Sequence, residues 1–292
     1  MIQIPSKLVM IQIPSKLVMI QIAILFQRIV RIQTGKIMFR HTPSFSVTGK
    51  KFNVVILASG LGMRLRPETE FIPKPLLPLD RHGTTALDHL IQKFQYVAKR
   101  FVITTAYCAD LLENYVKGKY GNALDIQFSR ERIEDLYSPG RSVLFALDHV
   151  LIEYPTIIMF SDYVVEDYIN VDNDALCVTQ APDADHYIVD KFPKGIPDIS
   201  HGIVTDINPS KTLSTPGYGG WPGIGIFHNT LLLKAIAYKH AIDKDMKVAL
   251  DFDIVKDYVK QVKTTAHPIN KLFEFGIPDM LKKVRDYANA NN

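Results

Sequence analysis

The stretch NVVILASGLGMRLRPETEFIPKPLLPL, residues 53–79, combines an apolar run with a glycine-rich, cation-bearing loop. Residues 54–57 are continuously apolar and rich in β-branched side chains, which is typical of a strand buried on both faces of a parallel sheet. Gly60 and Gly62 then interrupt the run, and glycines let backbone N–H groups approach an anion closely. This order predicts a phosphate-binding loop directly after the first strand of an α/β fold.

The loop carries Arg64, Arg66 and Lys74, whose side chains would supply the positive charge that polyphosphate recognition needs. Two better-known glycine loops do not fit, because Leu65 occupies a position that both the Walker loop and the dinucleotide fingerprint reserve for glycine. What remains is Gly-x-Gly-x-Arg-x-x-Pro followed by Pro-Lys-Pro-Leu. A βα turn whose arginines face solvent is the alternative interpretation, and Arg66 in particular could be a phosphate ligand or a surface charge.

This order of motifs resembles the nucleotidyltransferases that make nucleotide-diphosphate sugars, typified by glucose-1-phosphate thymidylyl- and cytidylyltransferases. The resemblance spans about residues 52–287 and is strongest at 53–79. It implies an α/β fold with a doubly wound, mainly parallel sheet of the nucleotide-diphospho-sugar transferase type, which is Rossmann-like. A smaller mixed half would bind the acceptor.

The net charge of +4 is distributed unevenly along the 292 residues. Residues 1–51 hold eight Lys/Arg and no Asp/Glu, which leaves 26 Lys/Arg against 30 Asp/Glu in residues 52–292. A nucleic-acid-binding domain would carry a basic excess on the folded domain itself, so we expect no nucleic-acid partner. Cys108 and Cys177 have no metal-type spacing, which favours a reducing, cytoplasmic location.

The first 51 residues are interpreted as a basic, partly repeated tail that is not part of the fold. Residues 1–9, MIQIPSKLV, recur at 10–18, a period that suits no solenoid. The apolar run at 18–26 is far shorter than the roughly twenty residues of a membrane span, so we predict no membrane span. A membrane-surface or transit-like segment, and translated upstream sequence with a start at Met38, are the alternatives.

Residues 52–292 are expected to form one catalytic domain, with a nucleotide-binding half at 52–170 and an acceptor-binding half at 171–292. Helical spacing of apolar residues at 85–99, followed by an apolar strand, predicts a βαβ unit after the loop. Strands then alternate with helices as far as Thr156–Phe160, which predicts a mainly parallel, doubly wound sheet. The strands predicted in the second half are 176–180, 187–190, 202–206 and 224–227, and a last helix is predicted at 278–287.

Asp162 follows the strand predicted at Thr156–Phe160, and open α/β sheets bind their ligands at the carboxyl ends of strands. In the resembled family a carboxylate at this position holds magnesium, whereas an aspartate that merely starts a turn is the alternative. Residues 272–280 align with the family's second carboxylate motif and place Glu274 where the family has an aspartate. Glutamate keeps the hard anionic oxygen that Mg²⁺ prefers, so the resemblance implies Mg²⁺ as the cofactor.

The resemblance assigns further roles, residue by residue. The implied site residues are catalytic Arg64, Lys74 and Asp162; nucleotide-binding Ala58, Gly60, Gly62, Arg64 and Gly140; acceptor-binding Lys191, Lys211 and Gly223; and metal-binding Asp162 and Glu274. Trp221 stands where the family keeps an asparagine, and the family's Glu-Lys-Pro motif is not cleanly present. The acceptor is therefore not fixed, and either candidate lysine could be a solvated surface residue.

The implied activity transfers a nucleoside monophosphate from an NTP to a phosphorylated acceptor, with a sugar 1-phosphate as the leading acceptor and an NDP-sugar and pyrophosphate as products. One alternative is a cytidylyltransferase for a small alcohol phosphate such as phosphocholine. Another is a catalytically silent nucleotide-binding or assembly subunit, against which the joint presence of Gly60, Gly62, Arg64, Lys74 and Asp162 argues. The implied partners are the NTP and a small-molecule acceptor, and a homo-oligomer is left open.

Overall fold

The computed structural model describes residues 49–135, 138–179, 195–208 and 218–290. The strands within these ranges are β1 (Phe52–Leu57), β2 (Ala98–Thr105), β3 (Ile126–Arg130), β4 (Thr156–Phe160), β5 (Tyr163–Val165), β6 (Ala175–Thr179), β7 (Ile196–Ser200), β8 (Ile203–Asn208), β9 (Gly225–Phe227), β10 (Thr264–Ile269) and β11 (Leu272–Glu274). The α-helices are α1 (Ala86–Phe94), α2 (Ala109–Tyr120), α3 (Pro139–Ala146), α4 (Thr230–Asp243), α5 (Lys256–Val259) and α6 (Pro278–Ala290). A π-helical turn, Leu250–Val255, leads into α5.

Most of the strands form one sheet in the order β3-β2-β1-β4-β9-β6-β10-β8-β7, and β5 pairs with β11 in a separate two-stranded sheet. The four strands β3, β2, β1 and β4 are mutually parallel neighbours. Strands β9 and β8 run opposite to the other strands of the large sheet. The predicted α/β class with a mainly parallel sheet is therefore confirmed, and its mixed part comes from the second half of the chain.

Strand β1 lies between two parallel neighbours, and all of its residues are buried. Its alternating side chains enter two cores. Val54 and Ile56 belong to the core beneath α1 and α2, whereas Val55 and Leu57 belong to the core beneath α3 and α4. Helices thus cover both faces of the sheet, which is the doubly wound arrangement.

Helix α1 begins at a capping box, in which Thr85 accepts from the Asp88 N–H and the Asp88 carboxylate accepts from the Thr85 N–H. The helix predicted at 85–99 is too long, because α1 ends at Phe94 and β2 begins at Ala98. Val97 is buried in the same core as the helix, so it continues the helical spacing without being helical. Pairing of Ala98 with Phe52 on β1 fixes the start of the strand.

The second half contains elements that the sequence did not predict, notably α4 and β10. The sequence of α4 lacks a clear spacing of apolar residues on one face, because the apolar residues Leu231 and Ile242 are exposed to solvent. Strand β10 lies between β6 and β8, far from its neighbours in sequence. The predicted strands at 176–180, 202–206 and 224–227 correspond to β6, β8 and β9, whereas the strand predicted at 187–190 lies outside the described residues.

The last predicted helix, at 278–287, corresponds to α6, which packs over a third core together with β5 and β11. None of the helices in the described part of the chain combines the length and the apolar character that a membrane crossing demands. All described residues belong to the larger of two compact units, Met38–Asn292.

Candidate functional site

A cavity of about 430 Å³ lies at the carboxyl ends of β1 and β4. Its walls come from the loop after β1, the turn at Lys74, the first turn of α3, and the residues that follow β4 and β11. The residues that line it are Leu57, Ala58, Ser59, Gly60, Leu61, Gly62, Met63, Arg64, Lys74, Pro75, Ser138, Pro139, Ser142, Phe160, Ser161, Asp162 and Gly276. The structure therefore brings together the predicted loop residues, Lys74 and Asp162, although these are far apart in sequence.

The two loop glycines differ in what the fold asks of them. Gly62 has a left-handed φ of 65°, and a Cβ there would lie 3.1 Å from atoms of the Thr69 side chain. The Thr69 hydroxyl donates to the Gly62 carbonyl at 2.8 Å, so the turn itself requires this glycine. Gly60 has neither a positive φ nor any neighbour within 4 Å of a Cβ position. The described fold gives no reason for a glycine at 60, whereas an approaching ligand would.

Hydroxyl groups hold the start of the loop in place. The Ala58 N–H donates to the Thr104 hydroxyl on β2 at 2.9 Å. The Ser59 hydroxyl lies 3.2 Å from the hydroxyl of Ser142 on α3. Because the Ala58 amide is already used within the protein, the predicted nucleotide contact at Ala58 would have to come from its other atoms.

Lys74 and Asp162 form an ion pair inside the cavity. The Lys74 ammonium lies 2.5 Å from Asp162 Oδ2, and the side chains are 13% and 12% exposed. The ammonium also lies 5.5 Å from the centroid of the Phe275 ring. This limited exposure keeps the pair largely away from bulk water, where its field on a ligand would be weakened most. The pair faces the glycine loop, so it can act on an anion bound there.

Glu274 reaches the same region through long-range strand pairing. It ends β11 opposite Tyr163, and the next residue, Phe275, donates its N–H to the Asp162 carbonyl at 3.3 Å. A Cβ on Gly276 would lie 3.2 Å from Arg64 Nη2 and 3.2 Å from Glu274 Oε1. The ends of the Arg64 and Glu274 side chains therefore both lie close to the space that a side chain at 276 would fill. Gly276 lies within the motif aligned at 272–280, but the sequence analysis gave it no role.

The donor set near the cavity suits a hard divalent cation. Asp162 lines the cavity, and Glu274 is buried on the strand that pairs with the segment after Asp162. Within the described ranges no group of three or more His, Cys, Asp or Glu is arranged to hold a metal. Two carboxylates would leave the remaining positions to phosphate and water oxygens, which fits the way in which Mg²⁺ is usually bound in phosphoryl-transfer sites.

Gly140, which was predicted to contact the nucleobase, packs against the backbone of residues 248–250. It is not among the cavity-lining residues, and a Cβ there would lie 2.3 Å from the Val248 carbonyl oxygen. Its neighbours Ser138, Pro139 and Ser142 line the cavity instead. Arg66 is exposed and is likewise not among the lining residues.

The predicted acceptor-binding residues are only partly described. Gly223 has a left-handed φ of 100° in the turn before β9. The Tyr163 hydroxyl donates to the Pro222 carbonyl at 2.5 Å, so this turn lies beside the residue that follows Asp162. The indole N–H of the buried Trp221 donates to the Ile224 carbonyl at 2.8 Å. Lys191 and Lys211 lie outside the described residues.

Comparisons of sequence give short matches. No protein-family model matches the chain. The chain is 32% identical over 125 residues to the bifunctional protein GlmU of Methanococcus aeolicus, and 32% identical over 89 residues to N-acetylmuramate alpha-1-phosphate uridylyltransferase of Caulobacter vibrioides. These matches cover 42% and 30% of this chain but 28% and 36% of the two relatives. The chain therefore matches about a third of the length of these curated relatives.

Solved structures match over most of the chain. The structure of a CTP:phosphocholine cytidylyltransferase from Streptococcus pneumoniae has a TM-score of 0.64 at 17% identity and covers 81% of this chain and 99% of its own. A putative glucose-1-phosphate thymidylyltransferase from Bacillus anthracis has a TM-score of 0.64 at 17% identity, with 82% and 96% covered. At such identities the likeness shows the fold.

A uridylyltransferase among the sequence relatives, with a cytidylyltransferase and a putative thymidylyltransferase among the structural neighbours, confirms the predicted resemblance to nucleotidyltransferases. Two of these proteins are named for sugar 1-phosphates, N-acetylmuramate α-1-phosphate and glucose 1-phosphate. The type of enzyme predicted from the sequence agrees with these relatives.

Proposed function

We propose that this chain transfers a nucleoside monophosphate from an NTP to a phosphorylated acceptor and releases pyrophosphate. The observation that carries the proposal is the convergence of the Gly60 loop, Arg64, Lys74 and Asp162 on one cavity at the carboxyl ends of β1 and β4. Open α/β sheets bind their ligands at this edge. The names of the sequence relatives and of the structural neighbours support the same class of reaction.

The reaction needs positioning and charge neutralisation more than covalent help. An acceptor phosphate oxygen, already anionic, forms a bond to the α-phosphorus, while the bond from that phosphorus to the leaving pyrophosphate breaks. The segment from Gly60 to Gly62 would cradle the triphosphate, and the planar guanidinium of Arg64 would bind its oxygens. Lys74, held by Asp162 at 2.5 Å, would neutralise charge where the two phosphates meet.

Mg²⁺ is the proposed cofactor, with Asp162 and Glu274 as its protein ligands. When bound, it would supply electrostatic stabilisation of charge on the transferred phosphate. Lys74 would orient the Asp162 carboxylate, since the ion pair fixes one of its two oxygens. A glycine at 276 would let Arg64 and Glu274 approach each other without a side chain between them.

A sugar 1-phosphate is the leading acceptor, with an NDP-sugar as the product. The support comes from a relative whose name states that it acts on N-acetylmuramate α-1-phosphate. A small alcohol phosphate is the second candidate, because the Trp221 indole is buried and its N–H is used by Ile224. That position therefore offers no polar side chain to read sugar hydroxyls. The phosphocholine cytidylyltransferase neighbour supports the same candidate.

Pyrophosphate release tests the proposal directly. The full chain would be assayed with ATP, CTP, GTP and UTP or dTTP against a panel of sugar 1-phosphates and phosphocholine, with Mg²⁺ and with a chelator. We expect release that requires an NTP, an acceptor and Mg²⁺ together. Nucleotide binding without release for any pair would favour the silent subunit, and neither binding nor release would overturn the proposal.

A cytoplasmic location is proposed as well. Cys108 and Cys177 are both free cysteines, and persistent free thiols suit a reducing compartment. Cell fractionation with an antibody against the protein would check the location.

A further inference from the structure

The first turn of α3, which borders the nucleotide cavity, rests on a backbone segment that the proposed reaction does not use. The Ser138 hydroxyl caps the helix by accepting from the Arg141 N–H at 3.3 Å, and it also donates to the Val248 carbonyl. A Cβ on Gly140 would lie 2.3 Å from the Val248 oxygen and 2.7 Å from the Leu250 nitrogen. The helix therefore contacts the backbone of residues 248–250 directly, and this contact explains the glycine at 140.

Asp253 holds that backbone segment. Its Oδ2 accepts from the Ala249 N–H at 2.7 Å, and its Oδ1 pairs with the Lys244 ammonium. The side chain of Asp253 is buried, and Oδ1 also lies 4.0 Å from His240 Nδ1. One carboxylate thus joins the end of α4 to the segment on which α3 rests.

We infer that Asp253 is a positioning residue for the nucleotide site. It fixes residues 248–250, and these set the place of the first turn of α3. That turn lies beside the glycine loop, since the Ser142 and Ser59 hydroxyls are 3.2 Å apart. A helix N-terminus favours anions, so its displacement weakens binding of a triphosphate. The nature of this ligand rests on the proposed function, whereas the chain of contacts does not.

Asp253→Asn tests the inference, and Asp257→Asn is the matched control. An ionised carboxylate accepts on both oxygens, whereas an amide offers one acceptor and one donor group. Asparagine at 253 therefore cannot accept from the Ala249 N–H and from Lys244 at once. Asp257 faces the other nitrogen of His240, at 2.8 Å, so its variant changes the same charge cluster from the α5 side.

Steady-state kinetics supply the first readout. Asp253→Asn should raise the KM for the nucleotide about tenfold and change kcat by less than about twofold, because it alters ground-state binding and leaves Lys74 and Asp162 in place. Asp257→Asn should keep both constants within about twofold of the wild type. A merely structural role would lower the folded fraction, which scales the apparent kcat and leaves KM unchanged.

Hydrogen exchange supplies a readout that needs no activity. Amides at 139–146 should exchange about tenfold faster in Asp253→Asn than in Asp257→Asn, because the first turn of α3 loses its support. Equal KM values and equal exchange in the two variants would overturn the inference. If Asp253→Asn does not fold, Lys244→Gln, whose side chain is 46% exposed, should shift both readouts in the same direction by a smaller factor. A wild type that transfers no nucleotidyl group would refute the proposed function, while the exchange comparison would still decide the role of Asp253.

Discussion

The parallel and the mixed parts of the sheet place their functional residues by different routes. In the parallel part, Leu57 at the end of β1 pairs with Phe160 at the end of β4. The residues that directly follow these ends are therefore neighbours, and the Ser161 N–H donates to the Leu57 carbonyl at 3.1 Å. Lys74 reaches Asp162 from a later turn, Lys74–Leu76, across 88 positions of sequence. The mixed part contributes the turn at Gly223, which precedes β9. Glu274 comes from neither part, because β11 pairs with β5 in a separate two-stranded sheet.

The difference shows that the nucleotide side and the acceptor side are under different constraints. The nucleotide side is a loop with two glycines and an arginine that directly follows a buried strand. These residues lie within a short stretch of sequence. The acceptor side depends on the turn at Gly223 and on strand pairs between distant segments. We expect substitutions on the nucleotide side to change the rate most, and substitutions elsewhere, apart from Asp253, to act mainly on stability.

The largest expected effect is that of Asp162→Asn. The change keeps the shape but removes the partner of Lys74 and the proposed metal ligand, so turnover should fall by at least about 10³-fold with little change in melting temperature. Asp206→Asn on β8, whose carboxylate lies 3.1 Å from Lys256, is the control in the mixed part and should leave turnover unchanged. Wild-type turnover by Asp162→Asn would refute the metal assignment. A silent Glu274→Gln would remove only the second proposed ligand.

The two cations of the nucleotide side should fail in different ways. Arg64→Ala should raise the nucleotide KM and also slow turnover by about tenfold, because a guanidinium contacts the bound triphosphate in the ground state as well. Lys74→Ala should lower kcat by about 10²-fold or more with little change in KM, since two anionic phosphates approach most closely in the transition state. Lys74→Arg should not restore kcat, because the larger fork does not fit the compact site. Near wild-type kcat/KM in both alanine variants would exclude residues 60–74 as the phosphate cradle.

Lys93 is a buried cation of α1 that does not line the cavity, so its replacement should affect stability alone. Its ammonium, on α1, donates to the Asp167 carbonyl at 2.7 Å, and its charge interacts with the thiol of Cys177 on β6. Burial lowers the pKa of Lys93 to about 8, against the partial opposition of Asp167. Between pH 8 and the ordinary value of 10.5 the unfolded chain binds the extra proton, so this residue makes stability rise with pH in that window.

Denaturant unfolding of the wild type and of Lys93→Met measures this contribution. The unfolding free energy of the wild type minus that of the variant should increase by about 3 kcal/mol from pH 8 to pH 10.5. Lys239→Met, at an exposed position of α4, is the matched control. A difference that stays flat across the window would show that Lys93 is hydrated in the native protein.

Two glycines in helices should respond to alanine with opposite signs. Gly118→Ala on α2, where no atom lies within 4 Å of the new Cβ, should stabilise the protein by about 0.5–1 kcal/mol through helix propensity. Gly140→Ala should destabilise it by about 1–3 kcal/mol, because the Cβ would lie 2.3 Å from the Val248 oxygen. Melting temperatures of the two variants check this pair. Equal stabilisation by both would mean that α3 does not rest on residues 248–250.

Local sequence was sufficient for the first strand, the glycine loop and the strand that precedes Asp162. A buried parallel strand is continuously apolar, and the loop residues act through neighbours in the chain, so their signals are short and dense. The helix predicted at 85–99 was too long because the local pattern of apolar residues extends beyond the helix. Burial of Val97 continues a helical spacing that the backbone does not follow, and only pairing of Ala98 with β1 shows that the predicted strand begins there.

The sequence by itself determined the α/β class, the phosphate-loop pattern and the identity of the charged groups, because each depends on residues close together in the chain. Only the tertiary structure decided that Lys74 pairs with Asp162, that Arg64 and Glu274 both lie close to Gly276, and that Gly140 serves a helix contact. These relations join segments that are distant in sequence, and no local periodicity encodes them. The register of β1 with β4 and of β5 with β11 places Asp162 and Glu274, and the packing of α3 on residues 248–250 places Gly140.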